Sequence, residues 1–201
     1  MKYFSIIFLL FSTFYCQSQV FIRDTDESLQ QFAEKSKPDN KAILKGDVLE
    51  TDLWYRDKKI IFCFYKTSAK LDDEDTFTQG YLFLPVETNK YKRILIDNYD
   101  PEGNDAKIES IFFVNADKDA VKELVIICKW PQKLALNEGN LFQVFVYDNL
   151  DLKMNQKKLV PLQKINDKFK IEFDGYQDGK KKTAKYNTAK KVRERLKQLI
   201  I

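Results

Sequence analysis

Residues 122–130 read KELVIICKW, and they carry apolar side chains at both parities: Leu124, Ile126 and Cys128 fall on one side of an extended chain, Val125 and Ile127 on the other. A half-exposed strand alternates apolar with polar, whereas a strand with two apolar faces is stable only when both are covered. The run therefore points to a layered β structure.

Working outward, KIIFCFY (59–65), GYLFLP (80–85), YKRILID (91–97), KIESIFFV (107–114) and LFQVFVYD (141–148) are likewise rich in β-branched and aromatic residues, with turn-forming residues between them. KKLVPLQKI and KFKIEFD extend the series with a hairpin near 157–174. The connections are too short for crossover helices. The expected class is mainly β (α+β): an antiparallel meander sheet of about 6–8 strands. DTDESLQQFAEK (24–35) reads as a short N-terminal helix with an acidic first turn, ended by KPDN (37–40). At the other end Ala189, Val192, Leu196, Leu199 and Ile200 fall at helical spacing after Asn187 or Thr188, which predicts a C-terminal amphipathic helix. That helix covers one sheet face; the N-terminal helix, or the sheet curling on itself, covers the other.

MKYFSIIFLLFSTFYCQS (1–18) has a cation, Lys2, followed by an apolar run shorter than the roughly 20 residues a membrane-spanning helix needs. It is expected to be a signal peptide, with a single globular domain over 19–201 and a secreted or periplasmic destination. Cleavage after Ser18 fits better than a lipoprotein anchored at Cys16, because Phe14 and Tyr15 stand where lipoproteins carry small residues. No later segment is long and apolar enough to be a transmembrane helix. Cys63 and Cys128 each lie inside an apolar run; they pair only if their strands are neighbours with both side chains on one face.

The chain contains no histidine. That removes Ser-His and Cys-His catalysis, a histidine general base and the common zinc sites, and leaves carboxylates, lysines, hydroxyls and oxygen-liganded metals.

Just before KELVIICKW stands NADKDAVKE. With Asn115 as position 1, side-chain oxygens recur at Asp117 and Asp119, the Val121 carbonyl takes position 7 and Glu123 takes position 9, the register in which a turn wraps calcium. An EF-hand is excluded, since position 12 is Ile126 and the flanks are strands. The run NADKDAVKELVII, with LFQVFVYDN as the next strand, resembles the calcium loop of FG-GAP and VCBS-type repeats, with Asn115 in place of a charged ligand and Ala120 in place of a glycine. The resemblance covers about 40 residues and implies a blade-like hairpin with one calcium ion as cofactor, held by Asn115, Asp117, Asp119, Val121 and Glu123. The competing reading is that Asn and Asp stand at this tip because their side chains bond backbone groups in turns. As a whole the chain resembles secreted Gram-negative proteins that carry one such hairpin, which implies no activity.

Two further features bear on function. KLDDEDTF (70–77) and DNYDPEGND (97–105) are expected to gather Asp72, Asp73, Asp75, Asp100, Glu102 and Asp105, with Tyr99 and Trp130, at the end of the sheet away from the 115–121 turn. Paired carboxylates and aromatics are what a glycan hydrolase uses, although acidic loops are more often simply solvated. Between Lys180 and Lys197 stand nine lysines and arginines against one acid, Glu194; the rest of the chain from Gln19 holds 24 bases and 29 acids. Such a segment either rests on an anionic surface or leaves its charge in water; nucleic acid is not an expected partner, since no recognition motif accompanies the lysines.

The sequence thus leads to an exported, non-enzymatic binding or structural domain, braced by calcium, with a protein or glycan partner. Its rivals are a carboxylate-based glycan hydrolase and an inhibitor or immunity-type protein.

Overall fold

The computed structural model describes residues 19–68, 76–134, 137–152 and 155–199. The expected signal peptide, Asp72, Asp73, Asp75 and Ile200 lie outside the described residues.

The mainly β class, the antiparallel neighbours and the two terminal helices are all present. The described strands number ten, and they form two sheets of five. β1 (Val20–Ile22) is followed by helix α1 (Leu29–Lys35), then by β2 (Ile43–Thr51), β3 (Ile60–Ser68), β4 (Thr76–Glu87) and β5 (Lys90–Tyr99). These strands make the first sheet, ordered β1-β5-β4-β3-β2. β6 (Lys107–Val114), β7 (Glu123–Leu134), β8 (Asn137–Tyr147), β9 (Glu172–Gln177) and β10 (Lys180–Lys182) make the second, in simple succession. Helix α2 (Gln163–Asn166) lies between β8 and β9, and α3 (Ala189–Leu199) follows β10.

The two-faced strands explain the layering. From β7, Leu124, Ile126, Cys128 and Trp130 enter a core shared with Ile60, Phe62 and Phe64 of β3, so the sheets pack face to face. Val125 and Ile127 point the other way, under Val192 and Leu196 of α3. On the far side, Ile61, Cys63 and Tyr65 of β3 meet Phe32 and Ala33 of α1. Four layers result: helix, sheet, sheet, helix. Both helices named as covers from the sequence are present, one on each outer face, but they cover different sheets: the second face of β7 meets the first sheet and not α1. Each large apolar side chain so buried contributes about 1.5–3 kcal/mol relative to exposure.

The helix ends are set locally. α1 starts at Leu29, later than its acidic residues, because Ser28 and Gln31 close a capping box: the Gln31 N–H donates to Ser28 Oγ at 3.2 Å and the Ser28 N–H to Gln31 Oε1 at 2.9 Å. Asp24 and Glu27 instead clasp Lys35 from outside the helix. α3 buries its stripe on the second sheet, and the Arg193 guanidinium sits 4.4 Å over the Phe112 ring.

One expected element is corrected. Residues 157–174 are not a hairpin: β9 pairs with β8 and with β10. Pro161 and the apolar–polar mixture before it suit a bridging segment better than a paired strand. The Leu159 N–H donates to Leu95 O (2.9 Å) in the first sheet, while the Asp148 N–H donates to Val160 O (2.8 Å) and the Leu162 N–H to Val146 O (2.9 Å) in the second. This strap stitches both sheets. The cysteines are free and buried, Cys63 under α1 and Cys128 between the sheets, so they lie in different layers.

Candidate functional site

The 115–122 turn joins β6 to β7, and its side chains first satisfy its own backbone. The Asp119 N–H donates to Asp117 Oδ1 at 2.8 Å, and the Val121 N–H donates to Asp119 Oδ1 at 2.7 Å. Asn115 Nδ2 donates to the Asp119 carbonyl, and the Ala116 N–H to Glu123 Oε2. The turn chemistry expected of Asn and Asp is therefore present.

It does not account for the whole arrangement. Carboxylate oxygens of Asp117, Asp119, Glu123 and Asp148 lie within 4.8 Å of one another. Glu123, the first residue of β7, is 0% exposed, and its Oε1 has no hydrogen-bond partner. A buried carboxylate oxygen without a partner is costly, which is why such atoms are rarely left alone. Among the described residues, none of the four makes an ion pair with a lysine or arginine. Burial pushes the Glu123 carboxyl up to about 7, with the charges of Asp117 and Asp119 acting in the same direction.

Of the five residues expected at a metal, the structure brings Asp117, Asp119 and Glu123 together. Asn115 holds the turn through the Asp119 carbonyl, and Val121, expected to offer its carbonyl, lies in the same turn with its N–H on Asp119 Oδ1. The sequence reading missed Asp148, which follows the last residue of β8. Its one signal was an acid ending the apolar run LFQVFVYD, and a distance of 25 positions from Glu123 hid the partnership. Asn149 ties the two loops together, its Nδ2 donating to Asp119 Oδ2 and to Asp148 Oδ1, each at 3.2 Å.

The first sheet reaches this corner through the β2–β3 loop. Trp54 Nε1–H donates to Lys122 O at 2.6 Å, and its ring stacks on Phe113 with centroids 5.2 Å apart. The Leu150 N–H donates to the Tyr55 hydroxyl at 2.6 Å. Burial raises the Tyr55 phenol to about 12, and Asp148, Glu123 and Asp119 add to the rise, so it stays protonated beside the cluster.

The donor set tests which ion would fit. It offers only oxygen, which suits a hard cation and not zinc or copper. Two ligands 2.3–2.6 Å from one calcium are at most about 5 Å apart, so a spread within 4.8 Å fits a shared ion. The residues present fit calcium.

The other acidic end is arranged differently. Tyr99 and Trp130 are buried in the core between the sheets, where no sugar ring reaches them. Asp105 pairs with Lys66 at 2.9 Å and Lys45 at 3.5 Å. Burial works to raise its carboxyl, but hydrogen bonding and charge from Lys66 and Lys45 outweigh it and hold the group below the usual carboxylate range. That is the wrong direction for a general acid. The backbone carbonyls of Asp100 and Glu102 accept from Trp130 Nε1 and Gln132 Nε2, so this loop caps β7.

A scan of protein-family models, a search of curated proteins and a search of solved structures each return no match to this chain.

Proposed function

We propose that the protein is an exported, non-enzymatic binding or structural domain in which one calcium ion ties the β6–β7 turn to the loop after β8. One observation carries the reading: the unpartnered Oε1 of buried Glu123, set among Asp117, Asp119 and Asp148, none of the four ion-paired to a lysine or arginine among the described residues. In this reading Glu123 and Asp148 supply ligands from the ends of two neighbouring strands, and Asp117 and Asp119 supply them from the turn. The ion offsets the mutual repulsion and gives Glu123 Oε1 its partner. Trp54 and Tyr55 extend the brace to the first sheet, so the ion stabilises the corner where the sheets meet.

The leader-like first residues support an extracellular or periplasmic setting, where calcium is available to a site of this kind. The ion-paired Asp105 and the enclosed Tyr99 and Trp130 weigh against glycan hydrolysis.

The test is a thermal melt of the chain from Gln19 in millimolar calcium and in chelator, with Asp148→Asn and Asp119→Ala beside the parent. An ion that binds only the native state, present at a hundred times its Kd, stabilises by about 2.7 kcal/mol, a rise of several degrees in Tm. Calcium is expected to raise the parent's Tm and to leave both variants unmoved. Equal melting of the parent in calcium and in chelator would sink the reading.

A further inference from the structure

We propose that the cleft between β2 and β6 is a binding site for a single-chain amphiphile with a carboxylate head, of the medium-chain fatty-acid class. This site is independent of the carboxylate cluster, which lies at the opposite end of β6.

The two strands are the outer edges of their sheets, facing each other at the open side of the sandwich. Both are bulged there. On β2, Gly46, Asp47 and Val48 stand opposite Cys63 alone, with Gly46 at φ +67°, a backbone conformation that favours glycine. On β6, Glu109 is the extra residue between the Ile108–Cys128 and Ser110–Ile127 pairs. The bulges hold the edges apart around a cavity of about 520 Å3, within the 300–1,000 Å3 typical of small-molecule sites.

Its floor is apolar. Phe64 and Ala106 belong to the core between the sheets, and Ile108 and Ile111 pack against it. Leu49, 37% exposed, forms one wall. The buried Thr78 hydroxyl already donates to Ala106 O at 2.9 Å, so it presents no free proton to a polar ligand. An alkyl chain fits such a floor better than a sugar.

The mouth carries charge, and with Lys66 behind Asp105 it counts four cations against three acids. Lys45, Lys107 and Lys129 line it together with Asp47, Asp105 and Glu109. Glu109 is paired with Lys129, and Asp105 is held by Lys66 of β3 as well as by Lys45, which is the longer contact at 3.5 Å. Lys107 is exposed and makes no ion pair among the described residues, and the same holds of Asp47 on the opposite edge. Lys107, with Lys45 released from its second place on Asp105, is placed to meet one carboxylate. The same bulges argue against an added peptide strand, because each interrupts the regular ladder that strand addition requires.

The experiment is calorimetric titration of decanoate, below its micelle concentration and in chelator, into the chain from Gln19. One-to-one saturable binding is expected. Leu49→Glu and Ser110→Trp, two partly exposed positions at the mouth, are each expected to abolish it while melting within a few degrees of the parent. Lys107→Glu, and decanol in place of decanoate, are each expected to weaken it about tenfold. The proposal is overturned if decanoate gives no saturable heat, if both mouth variants bind like the parent, or if the cleft takes an extended peptide and not decanoate. Since all titrations are run without calcium, they stand or fall separately from the metal reading.

Discussion

Glu123 is the residue on which most turns. Its folded-state proton is held up to about 7 against an ordinary 4.5, so the metal-free folded chain binds more protons than the unfolded one between those values. The corresponding contribution to stability is complete below about pH 4.5 and is lost as pH rises through about 7. In chelator, Glu123→Gln is therefore expected to melt above the parent at pH 8 and to lose that advantage at pH 5, and in calcium the parent is expected to melt above the variant. Melts at the two pH values with and without calcium check all four corners. Asp117, Asp119 and Glu123 were legible because calcium loops and polar turns both write themselves at short spacing. Asp148 was not, because its place depends on β8 lying beside β7, and no local pattern encodes that.

At the scale of elements, the strands read most clearly were those buried on both sides. β3 and β7 announce themselves because each face meets a different core. β1, β2 and β10 were not seen: the alternation of β2 is broken at Gly46 and Asp47, and β1 and β10 are three-residue edge strands too short to show a pattern, β10 being three exposed lysines. Its neighbour β9 depends on another unread feature, the cross-strand pair of Gly139 and Gly175. A Cβ on Gly139 would come within 2.2 Å of Asp174 O, and one on Gly175 within 2.6 Å of Gly139 Cα. These contacts involve backbone that side-chain repacking cannot relieve. Gly139→Ala is expected to destabilise the chain by about 1–3 kcal/mol, an overpacking cost measurable by urea denaturation.

At the scale of the whole molecule, the division into two sheets was hidden for a simple reason. A two-faced strand states that it has two covers, but not whether a cover is a helix or another sheet. The one written trace of the division is the break DPEGND between β5 and β6. The sheets are held by their shared core, by the Trp54–Tyr55 corner and by the strap, whose Leu159 is buried in that core. Leu159→Ala is expected to cost about 2–5 kcal/mol, and denaturant unfolding followed at Trp54 and Trp130 would measure it. A cost below 0.5 kcal/mol would show that the strap is not part of the seam.

The strap also sets an order of events. All five strands of the first sheet have left the ribosome or a translocation channel before β6 emerges, and hairpin neighbours this close in sequence pair early. That sheet then waits with one apolar face open, because its lid is made of later residues. Residues 157–162 then join the two halves, hydrogen-bonding Leu95 of the older sheet and Val146 of the newer one before β9, β10 and α3 are made. The span of synthesis between Tyr99 and Leu162 is thus the interval in which the inner face of the first sheet lacks its full cover and is open to aggregation.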